Sequence, residues 1–340
     1  MLEFNEQLKL VKAAVNGKAS PVAYSYGEEK YSYDEVNELL RREMNELAKD
    51  YNTYQRNKHT IFALIAEGVD DYLPKKVLDQ YGQFAEVRTF AQGDKPVFVQ
   101  KVTEASKRRA KQFITKVGPA GRYEVFKLDG KKYEVPVTAY GGAAQIGFEE
   151  FLDGRVDFAE LMEVINEGLE DAVYLEIEKA LIGAVTSLQT NNKHTASSFE
   201  ESAMDKLVAV ADSYGRATIY CTYEFAATMI PSTGWVSDNM RDAKWNNGYL
   251  GNYKGHQVIV LEQSYTDETN STKVIDPAYA WIIPNGAGEK PVKVAFEGTT
   301  QVKEFENRDW SREIQTYTKF GVAATITNNI CVYINSSLTK

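Results

Sequence analysis

Apolar residues recur at three- and four-residue steps between Asp157 and Leu188: Phe158, Leu161, Met162, Ile165, Leu169, Val173, Ile177, Leu181, Val185 and Leu188. That is the period of one helix face. Asp157 opens the run and Glu160 follows three residues later, a capping-box spacing. At about 1.5 Å per residue the predicted helix is roughly 45–50 Å long, a spine rather than one member of a bundle. Its polar positions are lopsided. Asp157, Glu160, Glu163, Glu167, Glu170, Asp171, Glu176 and Glu178 all precede the first base, Lys179.

Upstream, a short helical pattern surrounds Leu8 and Val11, and the tyrosine-rich stretch to Tyr31 reads as loosely structured. Ser32 and Glu35 then make a capping box, with Val36, Leu39, Leu40, Met44 and Leu47 on one face. A further helix is predicted from His59 to Leu73, ended or kinked by Pro74, with a short helix or turn to Tyr81 and a strand from Phe84 to Phe90. Downstream the pattern predicts a helix over Phe199–Tyr214, a buried strand over Ala217–Cys221 and a short helix from Tyr223 to Ile230. A loop carrying Trp235 and Trp245 follows, then two short strands around the Gly255 turn. Tyr279–Ile283 and Val292–Phe296 read as strands, and Ile314–Ile334 as strand material broken at Gly321 and Asn328-Asn329. Regular βαβ alternation is missing, which disfavours a doubly wound sheet or an α/β barrel.

Residues 92–142 differ in character, with eleven bases against five acids in a chain whose net charge is −9. Val97-Phe98-Val99 extends outward, Gly118 to Gly121 turns, Tyr123–Leu128 returns, and Asp129-Gly130 turns again into Lys132–Val137. Few of these residues are able to form a core of their own, and a long basic loop in a compact protein is usually functional or disordered. Beside an acidic spine, its chemistry suggests contact between copies: Lys107, Arg108, Arg109 and Lys111 of one chain across Glu163, Glu167, Glu170 and Asp171 of the next.

The overall negative charge argues against a surface that wraps nucleic acid, which needs clustered bases, though not against a container for it. No apolar run approaches the ~20 residues that span a bilayer, and no secretory apolar region follows Met1. Cys221 and Cys331 both lie in apolar runs and read as buried free thiols. His59, His194 and His256 are far apart and none has a ligand at metal spacing. Gly286 to Pro291 lacks phosphate-loop spacing and reads as a plain turn. No metal, cofactor or catalytic residue is expected, and the spine acids are spread along the helix rather than converging on a cleft.

In order, these elements resemble the major capsid protein of tailed bacteriophages, an α+β fold of the Hong Kong 97 type. The resemblance runs from about Ala85 onward and is carried by the extended loop, the spine, Gly248-Tyr249-Leu250-Gly251 through Gly255 to Val260, and Phe320-Gly321-Val322-Ala323. It implies an extended loop (92–142), whereas the helical N-terminal arm region (1–91) departs from that family's simple extended arm and reads either as an arm with added helices that grips a neighbour or as an embedded remnant of a scaffolding segment. It also implies a peripheral domain (143–198 and 291–327) and an axial domain (199–290 and 328–340) whose Trp235 and Trp245 region meets its copies at the symmetry axes.

The resemblance further implies hexamers and pentamers in an icosahedral head around double-stranded DNA. Portal, scaffold or decoration proteins are possible partners, and assembly takes place in the bacterial cytoplasm. Lysine–asparagine crosslinking has candidates in Lys107, Lys111, Lys116, Asn328 and Asn329, with nothing to select a pair. An encapsulin shell, a tail or baseplate protein, and a carboxylate-based carbohydrate-active enzyme remain as alternatives.

Overall fold

The computed structural model describes residues 3–16, 24–26, 29–100, 102, 130–146, 158–229, 237–285, 290–306, 312–325 and 328–338. Helix α1 (Phe4–Asn16) is followed by a small antiparallel pair, β1 (Tyr24–Tyr26) and β2 (Glu29–Tyr31). Helix α2 (Tyr33–Leu47) starts on the expected box: the Glu35 carboxylate accepts from the Ser32 N–H at 2.7 Å and the Ser32 hydroxyl accepts from the Glu35 N–H at 3.4 Å.

Helix α3 (Tyr51–Tyr81) is twice as long as the pattern predicts. Residues 51–58 are mostly polar and hide its first two turns, but the Asp50 carboxylate caps it by accepting from the Thr53 N–H at 2.9 Å. Pro74 does not end it. A helical proline costs about 3 kcal/mol. Burial of Val77 and Tyr81 beyond the proline offsets that.

Strand β3 (Ala85–Phe90) leads to β4 (Val97–Gln100), which pairs antiparallel with β5 (Lys131–Glu134). Strand β6 (Thr138–Ile146) follows, then the spine, α4 (Phe158–Val185), within three residues of both predicted ends. The Asp157 cap lies outside the described residues. Next come β7 (Lys193–Ala196), α5 (Glu201–Asp212), β8 (Arg216–Cys221), α6 (Tyr223–Thr228), α7 (Asp238–Asn247), β9 (Asn252–Tyr253) and β10 (His256–Val260). The chain closes with β11 (Tyr279–Asn285), β12 (Val292–Glu306), β13 (Arg312–Ala324) and β14 (Cys331–Asn335).

Two larger sheets organise these strands. One has the order β7-β14-β11-β8-β10-β9, the other β3-β12-β13-β6. Side chains of the six-stranded sheet alternate between two cores. Tyr220, Trp281 and Ile283 join the main core, whereas Ile219, Cys221, Ala280 and Ile282 pack with Met204, Leu207 and Phe225 of α5 and α6. Burial on both faces is why these strands read as continuous apolar runs.

The main core joins α1, α2 and α3 to the spine and the four-stranded sheet. Leu10, Val36, Leu40, Met44, Ile65 and Val77 share it with Leu169, Val173, Ile177, Leu181, Phe296 and Phe320. The N-terminal helices are therefore not an outstretched arm. Their apolar faces pack into one core with the spine's inside their own subunit.

Three further expectations are corrected. The extended segment does not run to Gly142, since β6 pairs along β13 from Thr138 to Ile146. Residues 193–196 belong with the six-stranded sheet, where β7 lies parallel to β14. Gly321 does not break β13 but serves a close crossing: a Cβ there would sit 2.0 Å from the Pro136 carbonyl oxygen.

Candidate assembly surfaces

The spine acids do not form one outward stripe. Glu167 is exposed, and Glu163 lies in the helix one turn before it. Glu170 is buried and accepts from the phenols of Tyr174 and Tyr72, the latter at 3.1 Å, with the Lys76 ammonium at 3.8 Å. Burial first, and the Glu170 charge second, push the Tyr72 phenol far above its usual range. Asp171 accepts from the Ser264 hydroxyl at 2.7 Å, and buried Glu178 accepts from the Asp276 N–H.

Glu170 and Asp171 thus take donors from their own chain, so the spine acids are not the single outward stripe that the pattern suggests. The cause is geometric. The spine is clasped by α3 and by the 262–276 segment as well as by a sheet, so residues polar in the pattern fall on covered faces.

Lys107, Arg108, Arg109 and Lys111 lie outside the described residues, as do Lys116 and Trp235. The root of their segment is described, and it closes on its own sheet. Phe98 and Val135 are buried against Ala295, with Phe90 at the edge of the cluster. Arg88 and Lys293 both stand over the Phe98 ring, with charged atoms 5.3 and 5.7 Å from its centroid. Lys293 is 4% exposed and pairs with Glu86, its register partner on β3. Burial opposes the charge on Glu86, but the Lys293 ammonium offsets that and holds the carboxyl below its usual value. The Gly93 N–H donates to Glu297 at 3.0 Å, fixing the start of the segment to β12.

Hydrophobic patterning missed this anchor because its members lie far apart in sequence. A Lys293→Met subunit is expected to lose about 2 kcal/mol, with Glu86 left to Arg88 alone. Urea unfolding checks it, and an unchanged midpoint would show that Arg88 suffices.

Trp245 does not lie in a loop. It sits on α7, whose start is capped by the Ser237 hydroxyl accepting from the Met240 N–H at 3.3 Å. The abundance of Gly and Asn around this turn concealed the helix. At 89% exposure Trp245 is a large apolar side chain with no cover among the described residues. Tyr223, also exposed, meets Tyr249 edge-to-face at 6.1 Å.

The histidines and cysteines all have surroundings of their own. His194 faces Glu200 at 3.1 Å, and His256 lies between the Ala217 carbonyl at 3.2 Å and Asp212 at 3.4 Å. Cys221 and Cys331 are free and buried, and burial pushes both thiols up to about 12. Among the described residues no group of three or more His, Cys, Asp or Glu is placed to hold a metal ion, and no helix is long and apolar enough to cross a membrane.

This fold is similar to those of solved phage shells. The subunit in the asymmetric unit of the bacteriophage PhiM1 mature capsid superposes with a TM-score of 0.50 at 9% identity, over 75% of this chain and 86% of that one. The chain is also similar to the capsid structure of cyanophage P-SCSP1u (0.48, 8% identity, 75% and 86% covered). It is similar as well to the holo-SrpI encapsulin complex of Synechococcus elongatus PCC 7942 (0.43, 10% identity, 72% and 84% covered). No curated protein matches it.

The fold is thus the α+β fold of Hong Kong 97-type, tailed-phage major capsid proteins. Residues 9–334 match the family model described as "SPbeta prophage-derived putative capsid protein YonB", and the chain belongs to that family. It is a structural protein of the virion, with the role of a capsid shell protein.

Proposed function

We propose that the subunits assemble, in the bacterial cytoplasm, as hexamers and pentamers of an icosahedral head that encloses double-stranded DNA, and that the protein performs no catalytic step. The four-stranded sheet and spine act as the peripheral domain. The six-stranded sheet with α5, α6 and α7 acts as the axial domain, presenting Trp245 to its neighbours. The basic segment laps over an adjacent subunit, and portal, scaffold or decoration proteins join the same shell.

The observation that best supports this reading is the charge of the segment beyond the Phe98 anchor. Residues 103–129 hold seven bases and three acids in a chain of net charge −9. Neighbouring copies supply the complementary charge. A negative container also releases DNA more readily than a basic one would.

Electron microscopy of the purified protein tests the assembly, with closed shells of uniform size expected. Tubes or tail-like rings would overturn it, and shells filled with protein rather than DNA would point to a nanocompartment instead. Reversing Lys107, Arg108 and Arg109 to glutamate is expected to abolish shells while the thermal transition of the subunit stays within about a degree or two, as for surface changes. Normal shells from that variant would remove the lapping segment from the assembly scheme.

A further inference from the structure

Strand edges are templates for pairing with another chain, and soluble proteins blunt them by shortness, charge or proline. Three edges here follow that rule. Strand β7 has four residues and carries Lys193, β9 has two, and β3 carries Glu86 and Arg88. Strand β6 does not. It runs nine residues, Thr-Ala-Tyr-Gly-Gly-Ala-Ala-Gln-Ile, without a charge or a proline, and β13 pairs with one side of it only. Among the described residues nothing pairs with the other side. Thr138, Ala139, Gly142 and Ala143 are exposed.

The two glycines in this strand have different reasons to be there. A Cβ on Gly141 would lie 2.4 Å from the Thr316 carbonyl oxygen, so the subunit's own packing requires that glycine. A Cβ on Gly142 would meet nothing within 4 Å, and its backbone is not in the left-handed region. Nothing among the described residues calls for glycine at 142. A glycine inside a strand weakens it and often marks the close approach of another backbone. Gly142 is also the midpoint of Thr138–Ile146.

We infer that two copies of this chain join edge to edge through β6, antiparallel about a two-fold axis at Gly142. The inference rests on the assembly reading above and assigns one of its contacts. Thr138 then opposes Ile146 and Gly142 opposes Gly142, which fuses two four-stranded sheets into one of eight. A second copy suits this edge because subunits of like net charge meet best along a strand that places no charge opposite its equal. An isologous contact also needs only one patch, repeated on both partners.

The test uses the full chain carrying Gly142→Cys. Cys221 and Cys331 are buried, so the new thiol is the accessible one. Opposed residues of an antiparallel pair lie about 4.5–5.5 Å apart at Cα, within disulfide range. Mild oxidation of assembled shells is expected to give covalent dimers on a non-reducing gel, and oxidation of dissociated subunits none. Gly142→Lys is expected to yield about ten-fold fewer shells, with Gly142→Ala close to wild type and all three subunits melting alike.

Shells of Gly142→Cys that oxidise without dimers, or wild-type shell yield from Gly142→Lys, would overturn the edge pairing and leave the assembly reading standing. Wild-type protein that forms no shell at all would overturn the assembly reading, and this pairing with it.

Discussion

Replacing Leu169 by aspartate is expected to leave no folded subunit. Leu169 is buried on the spine face that meets α3 and the four-stranded sheet, in the cluster with Val173, Ile177, Phe296 and Phe320. The substitution removes about 2–3 kcal/mol of apolar burial. It also strands a carboxylate inside an apolar cluster. Together these exceed ~4–5 kcal/mol, a large share of the 5–15 kcal/mol that holds a typical domain together. Expression should give insoluble chain, and any soluble fraction should lack a cooperative thermal transition. A soluble Leu169→Asp protein that still builds shells would mean that this face is not the one the core rests on.

The same face shows what periodicity reveals and what it conceals. Leu169, Val173, Ile177 and Leu181 are apolar and buried, so the spine and its inward side were legible from spacing alone. Ser32 with Glu35, the buried strand through Ile219, and the turn at Gly255 were legible too, because a cap, an apolar run and a tight turn are local signals.

Glu170 was misread because its burial depends on Tyr72 and Tyr174, one of them 98 residues away. The first two turns of α3 were missed because polar residues 51–58 carry no apolar stripe, and only the Asp50 cap marks the start. Trp245 was assigned to a loop and lies on a helix, since the Ser237 cap outweighed the turn-forming residues around it. The edge at β6 was invisible for another reason. Gly141 and Gly142 are identical letters, and only the neighbouring Thr316 carbonyl tells them apart.

The N-terminal helices, which the resemblance from Ala85 onward does not cover, carry the other large effect. A chain beginning at Gly82 is expected to be insoluble rather than a trimmed subunit. Deleting residues 1–81 removes the buried side chains of Leu10, Val11, Val36, Leu40, Met44, Leu47, Ile61, Leu64, Ile65, Val69, Leu73 and Val77, and uncovers Leu169, Val173 and Phe296 beneath them. At about 1.5–3 kcal/mol for each large apolar side chain, the loss exceeds the whole stability of a typical domain.

Polar ties go as well. Asp70 accepts from the Thr300 N–H and hydroxyl at 3.0 and 2.5 Å, and Tyr54 and Lys58 each reach Glu304 at 3.4 Å. These bonds hold the second half of β12, the strand whose start carries Lys293 of the Phe98 anchor. An outstretched arm would come away without harm to the subunit it left. Sedimentation and far-ultraviolet circular dichroism of residues 82–340 decide between the two: a compact, cooperatively melting fragment would restore the arm, and aggregated chain would keep α1, α2 and α3 as the inner wall of the subunit.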